Sequence, residues 1–177
     1  MRYNIFLLIA LTGFLLVGCV ESRNPETLTI ALNPSVDTIE VGSTYEDSGA
    51  TATLEGQSHT VNVVKNTVDT QVVGTYEIVY ETTYRNVTRR VVRVVDVIDT
   101  TPPVLTLKPG VDTVLVDTEW IDAGVEVSDN SGLDVEVEVQ GDVVISMPGE
   151  YRITYVAIDA FGNRSEMVRS VFVVEEE

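Results

Sequence analysis

Gly149-Glu150-Tyr151-Arg152-Ile153-Thr154-Tyr155 is a second copy of Gly74-Thr75-Tyr76-Glu77-Ile78-Val79-Tyr80, displaced by 75 positions (149 − 74 = 75). The same offset joins Leu32 to Leu107, Pro34 to Pro109, Val36-Asp37-Thr38 to Val111-Asp112-Thr113 and Val41 to Val116. It also joins Tyr45 to Trp120, Asp47 to Asp122 and Gly49 to Gly124. One register held over such a length marks an internal duplication. The chain must therefore fold as two copies of a small unit, each closing its own core. The copies part after Tyr155. Module two continues into Asp159-Ala160-Phe161-Gly162-Asn163, whereas module one lacks that turn and is shorter there.

Within a unit the apolar period is that of a strand. Leu28, Ile30 and Leu32 fall on one face, with Thr29 and Ala31 opposite. Asn33-Pro34-Ser35 interrupts, and Thr38 to Val41 reads as a second short strand ended by Gly42-Ser43. Further strands are expected at Ala50–Leu54, after which Glu55-Gly56-Gln57-Ser58 reads as a loop, and at Thr60–Lys65 with Val61 and Val63 on one face. Tyr76, Ile78 and Tyr80 share a face of the next, and a hairpin about Arg85-Asn86 returns along Val87–Val97. In Asp134 to Val139, valines alternate with carboxylates, so the valines are expected to face a core. Short strands punctuated by Gly, Pro and Asn predict an all-β fold, with each unit a sandwich. Asp99-Thr100-Thr101-Pro102-Pro103 is the expected boundary, because paired prolines cannot lie in a central strand. Module one is thus assigned to 28–99 and module two to 100–177.

The formal net charge is −17, which repels nucleic acid and excludes it as a partner. The acidity is uneven. Lys/Arg minus Asp/Glu gives 5 − 10 = −5 over 28–99 and 4 − 16 = −12 over 100–177. Arg85, Arg89, Arg90 and Arg93 gather at the last hairpin of module one. Cross-strand pairing with Glu77 and Glu81 and protection of a strand edge account for them better than contact with anionic head groups or wall polymer.

Cys19 is the one cysteine, so no disulfide can form within the chain. It follows an apolar run of 14 residues, Ile5 to Gly18, preceded by Arg2. As a helix that run spans about 21 Å, short of a ~30 Å hydrocarbon core, and has the proportion of a signal-peptide core. Leu16-Val17-Gly18-Cys19 resembles the lipobox of bacterial lipoproteins. The resemblance implies cleavage between Gly18 and Cys19 and a diacylglycerol on the Cys19 thiol. Residues 1–18 would be a signal peptide, and 19–27, polar and holding Pro25, a flexible lipidated tether. Two acyl chains at about 0.8 kcal/mol per buried methylene give stable retention, so the mature protein is expected to be extracytoplasmic and anchored to a membrane. Val20 carries no inner-membrane retention signal.

The repeat resembles the bacterial surface Ig-like domain, found in tandem on secreted proteins and in pesticidal crystal proteins. Module two supplies Asp99-Thr100-Thr101-Pro102, Trp120-Ile121-Asp122-Ala123-Gly124-Val125, the Gly149 strand and Asp159 to Asn163. Module one supplies Gly42-Ser43-Thr44-Tyr45-Glu46-Asp47-Ser48-Gly49-Ala50 and the Gly74 strand. Asp117 and Trp120 depart from the Gly and Tyr of that pattern. The resemblance implies two tandem Ig-like β-sandwiches and no shared catalytic residues. Tyr76 and Tyr151 are the candidates for tyrosine corners, with Ile78 and Ile153 where antibody domains carry a cysteine.

No enzymatic constellation is present. His59 is the one histidine and reads as a surface residue. Catalytic residues and cofactors are accordingly expected to be none, with one option open. Asp99, Asp122, Asp129 and Asp159, with Asp96 and Asn130, fall at module ends and turns, where oxygen ligands could hold Ca²⁺. They lack EF-hand spacing, and Asp-to-backbone turn bonds account for them equally well. The sequence therefore predicts a lipid-anchored surface protein whose modules bind a surface protein or polysaccharide, or serve as a spacer without a ligand. Palmitate labelling is expected to require Cys19, and Cys19→Ala to move the protein out of the membrane fraction. Unchanged membrane retention of that variant would contradict the lipobox reading.

Overall fold

The Pro that interrupts the first β-rich stretch of each repeat sets the architecture. A computed structural model describes residues 23–176. Gly18 and Cys19 lie outside the described residues. Module one contains β1 (Thr29–Leu32), β2 (Thr38–Glu40), β3 (Ala50–Leu54), β4 (Gln57–His59), β5 (Asn62–Asn66), β6 (Gly74–Tyr84) and β7 (Val87–Ile98). Module two contains β8 (Val104–Leu107), β9 (Thr113–Leu115), β10 (Val125–Ser128), β11 (Glu136–Gln140), β12 (Gly149–Ile158) and β13 (Arg164–Val174). Proline cannot donate to a ladder, so β1 stops before Pro34 and the chain crosses to the opposite sheet. β1 pairs antiparallel with β3, while β2 pairs parallel with β7. Module two repeats this, with β8 on β10 and β9 parallel to β13.

The sheets of module one run β1-β3-β4 and β2-β7-β6-β5. Those of module two run β8-β10 and β9-β13-β12-β11, so among the described residues only β4 has no counterpart. The chain is all-β, as two tandem Ig-like sandwiches. Glu55-Gly56 is a tight hairpin turn into β4, not a longer loop. Its φ values of 52° and 76° suit a two-residue connection.

Ile78, Tyr80 and Val95 form a buried cluster in module one, with Ile30, Leu32, Tyr45 and Val61 packed around it. Ile153, Tyr155, Val171 and Val173 are buried correspondingly in module two. Ile78 and Ile153 thus occupy the disulfide position as aliphatic core. The two tyrosine corners are present. Tyr76 donates to the Val72 carbonyl at 2.7 Å and Tyr151 to the Met147 carbonyl at 2.9 Å. Val63, Val137 and Val139 do not face a core; they are 55%, 36% and 53% exposed. Each four-stranded sheet is wider than the sheet it faces, so its edge strand, β5 or β11, overhangs.

The largest buried side chains are Arg93 and Arg169. The strand crossing explains them. Where the chain leaves one sheet for the other, ladder partners run out and carbonyls are left to satisfy. Arg93 Nη2 donates to the Asn33 and Gly49 carbonyls at 2.7 and 2.9 Å. Its Nη1 donates to both oxygens of Asp37, in the crossing itself, at 2.9 Å. Arg93 Nε lies 3.3 Å from Asp47, whose carboxylate also accepts from Tyr80. Arg169 repeats the arrangement with the Lys108 and Gly124 carbonyls, Asp112, Asp122 and Tyr155. Burial and then the Asp47 bond push the Tyr80 phenol up to about 12.

Arg93 is thus a core residue, not a member of a basic edge. The two arginines are offset by 76 (169 − 93 = 76), so the hairpins of the two copies differ by one residue in length. Arg90 does pair with Glu81 across the hairpin at 2.6 Å, whereas Glu77 pairs with Lys65 at 2.8 Å and Arg89 with Glu26 at 3.4 Å. The end of the expected tether is also engaged. Pro25–Thr27 is a 3₁₀ turn capped by Asn24, whose amide donates to Glu55 at 2.7 Å.

Arg93→Ala is expected to cost about 3 kcal/mol in urea unfolding, since it leaves the Asn33 carbonyl without its side-chain donor and two carboxylates without their countercharge. Arg169→Ala should cost module two a similar amount. A loss below about 1 kcal/mol, the size of one ordinary hydrogen bond, would contradict this account.

Candidate functional site: an acidic cluster at the module junction

Three strands end at the junction in an aspartate. Asp99 follows β7 at Ile98, Asp129 follows β10 at Ser128, and Asp159 follows β12 at Ile158. Each opens a turn by accepting a nearby backbone N–H. Asp99 Oδ1 accepts from the Thr101 amide at 3.1 Å, and Asp129 Oδ1 from the Ser131 amide at 2.9 Å. Asp159 Oδ1 accepts from the Phe161 and Asn163 amides at 2.8 and 2.9 Å. The turns bring the carboxylates together, with one oxygen of each within 4.8 Å of the other two.

The three aspartates are unequally satisfied. Asp159 is buried, but its Oδ2 accepts from the Asn163 side chain at 2.8 Å. Burial acts to raise its pKa, yet the bonds from Asn163, Phe161 and Gly162 outweigh burial and hold it below the ordinary carboxylate value. Asp99 is 8% exposed, and its Oδ2 has no hydrogen-bond partner. Asp129 Oδ2 has none either. Burial pushes the Asp99 carboxyl up against the pull of the Thr101 amide, and the neighbouring Asp129, Asp159 and Glu40 add to the rise.

Beside the cluster lies a contact between the modules. Glu40, at the end of β2, accepts from the Thr100 and Thr101 amides at 2.9 and 3.0 Å and from their hydroxyls at 2.8 and 2.7 Å. Asn130 of module two donates to the same carboxylate at 3.1 Å and to the Val41 carbonyl at 3.4 Å. The Thr101 hydroxyl and then the Thr100 amide, with further help from Asn130, lower the Glu40 pKa to about 2. Asn163 Nδ2 closes the junction from the other side, donating to the Asp99 carbonyl at 3.3 Å. Gly42 suits the left-handed backbone at this contact, where the space itself would admit a Cβ. Its φ is +79°, and a Cβ there would lie 3.8 Å from the Asn130 carbonyl.

Of the four aspartates open to calcium from the sequence, the structure thus gathers Asp99, Asp129 and Asp159. Asp122 is elsewhere, accepting from Tyr155 and from the Gly124 amide and lying 3.7 Å from Arg169. Asp96 accepts from Thr75 at 2.7 Å on the β6–β7 hairpin. His59 is half-buried. Its Nε2 is 3.1 Å from the Thr83 carbonyl, and its ring stands edge-on to Tyr84. Glu40 was not legible as a junction residue, although a signal existed. At the repeat offset, Glu40 is replaced by Leu115, and Asp129 stands where module one has the buried Leu54.

The profile of the bacterial surface protein Ig-like domain matches residues 30–97 and 108–173, together more than half of the chain, and the chain belongs to that family. The crystal structure of a lipoprotein from Bacteroides thetaiotaomicron is similar to it over 82% of this chain and 80% of that one, at 16% identity and a TM-score of 0.37. No curated protein matches. Among the described residues, no helix is long and apolar enough to cross a membrane.

Glu40→Ala is expected to remove about 1.5–3 kcal/mol of coupling between the modules, the range for hydrogen bonds to a charged group. Hydrogen exchange at the Thr100 and Thr101 amides should accelerate while the amides of β6 and β12 stay protected. Unchanged exchange at Thr100 and Thr101 would show that Glu40 does not hold the junction.

Proposed function

We propose that this protein of the bacterial cell surface is lipid-anchored and that its second module binds another envelope protein by strand addition at β11. The surface assignment follows from the family. Anchoring rests on Leu16-Val17-Gly18-Cys19 and the apolar run before it. The binding reading is carried by one observation, the state of the β11 edge.

β11 is the outer strand of its sheet, in unbroken register with β12, and all five of its residues are exposed. The equivalent edge in module one is blunted. β5 carries a register shift between Val63 and Lys65, and Lys65 itself. Bulges and lysines are the ordinary means by which an edge is closed to other strands. β11 has neither, and presents Val137 and Val139 alternating with Glu136 and Glu138. Such an edge accepts an extended segment through main-chain bonds, with side-chain alternation setting preference. Valines beside carboxylates favour a segment alternating apolar and basic residues.

The test is a photo-crosslinking side chain at Glu138 in intact cells. A recurrent protein adduct, lost on Val139→Lys, is expected. Absence of any adduct would favour a spacer without a ligand, and an adduct indifferent to Val139→Lys would move the contact off the edge.

A further inference from the structure

We propose that Asp99, Asp129 and Asp159 hold a calcium ion at the junction, so that the connection between the modules stiffens with external Ca²⁺. Proximity of carboxylates is not by itself a site. The observation that points to a ligand is Asp99. Its side chain is more than nine-tenths buried, and its Oδ2 meets no donor. A buried carboxylate oxygen without a donor is costly, and natural proteins satisfy nearly all of them. Asp129, in the same cluster, carries a second such atom in its Oδ2. Turn bonding accounts for one oxygen of each of these residues and leaves the other unexplained.

The geometry suits one ion. Ca²⁺ takes oxygen ligands at about 2.4 Å, so two ligands on opposite sides are about 4.8 Å apart. One oxygen from each of the three aspartates falls within that separation. All three donors are hard carboxylates, and calcium tolerates an irregular shell completed by water or carbonyls. Mg²⁺ demands a smaller octahedron at about 2.1 Å and keeps its waters, which fits a protein cage of carboxylates less well. Among the described residues, the buried arginines Arg93 and Arg169 are committed to the strand crossings, and no ion pair joins a lysine or arginine to any of the three aspartates. Asp99 belongs to the end of module one, whereas Asp129 and Asp159 belong to turns of module two. An ion shared among them ties the two modules directly, beside the Glu40 contact.

The test is titration of the full-length protein in detergent with CaCl₂, read by calorimetry and thermal melting, with MgCl₂ and with NaCl of equal ionic strength as comparisons. Binding heat near one ion per chain is expected, with Tm raised by about 5–10 °C at a hundredfold excess over Kd. Asp99→Asn should raise the Tm measured in chelator, because an amide donor meets the waiting oxygens, and should abolish the calcium response. Asp129→Asn should weaken binding at least tenfold, and Asp134→Asn should leave it unchanged. No heat and no shift up to about 10 mM calcium, beyond the range of extracellular modules, would overturn the proposal. So would an equal response to NaCl, which marks charge screening alone. A calcium response retained by Asp99→Asn would also overturn it, since the ion would then lie elsewhere.

Discussion

Everything in either sandwich depends on one buried guanidinium. A strand that changes sheets leaves carbonyl groups facing inward without ladder partners. Arg93 and Arg169 meet that need at the Asn33 and Lys108 carbonyls, add a second bond to the Gly49 and Gly124 carbonyls, which already accept from the Asn33 and Lys108 amides, and bind an aspartate from the crossing. A planar fork with five donors can serve several acceptors in one plane, which an ammonium on a flexible stem cannot. The second aspartate and the tyrosine fill the remaining side. The result is a polar knot inside an otherwise apolar core, present in both copies, with Arg169 Nε bonded to Tyr155 and Arg93 Nε held only by the charge of Asp47.

This knot also bears on how modules of this size manage without a disulfide. Ile78 and Ile153 fill the space with aliphatic packing, but packing is non-directional and does not choose a register. The arginine contacts do choose one. Slipping β7 or β13 by one residue would turn the arginine outward and bury a neighbour in its place. Specificity of strand pairing therefore rests with the polar residues, while valine, leucine, isoleucine and tyrosine together supply the apolar burial.

The repeat and its strand period made the fold class legible, down to the tyrosine corners and the aliphatic disulfide position. What stayed illegible came from context beyond a strand. Arg93 looks like one of four surface arginines because alternation places it on a face without saying how deeply that face is covered. The valines of β11 look like core because alternation is silent on sheet width. The acidic cluster was half visible. Asp99, Asp129 and Asp159 could be selected as turn residues at module ends, but Asp122 met the same description and belongs to a core. Only the pairing of strands separates them. Glu40 was hidden because a shared pattern draws attention to matches, and its meaning lies in a mismatch.

That mismatch has a further consequence. Glu40 and Asp129 stand where the opposite copy carries Leu115 and Leu54. The two modules are therefore twins in fold but not in rank. The junction is made by one end of module one and the reciprocal end of module two, and neither copy carries both halves. Exchanging their order along the chain would set Leu115 against Leu54 and leave the acidic residues at the outer ends. Duplication supplied interchangeable parts, and substitution at the ends has since given the pair a direction.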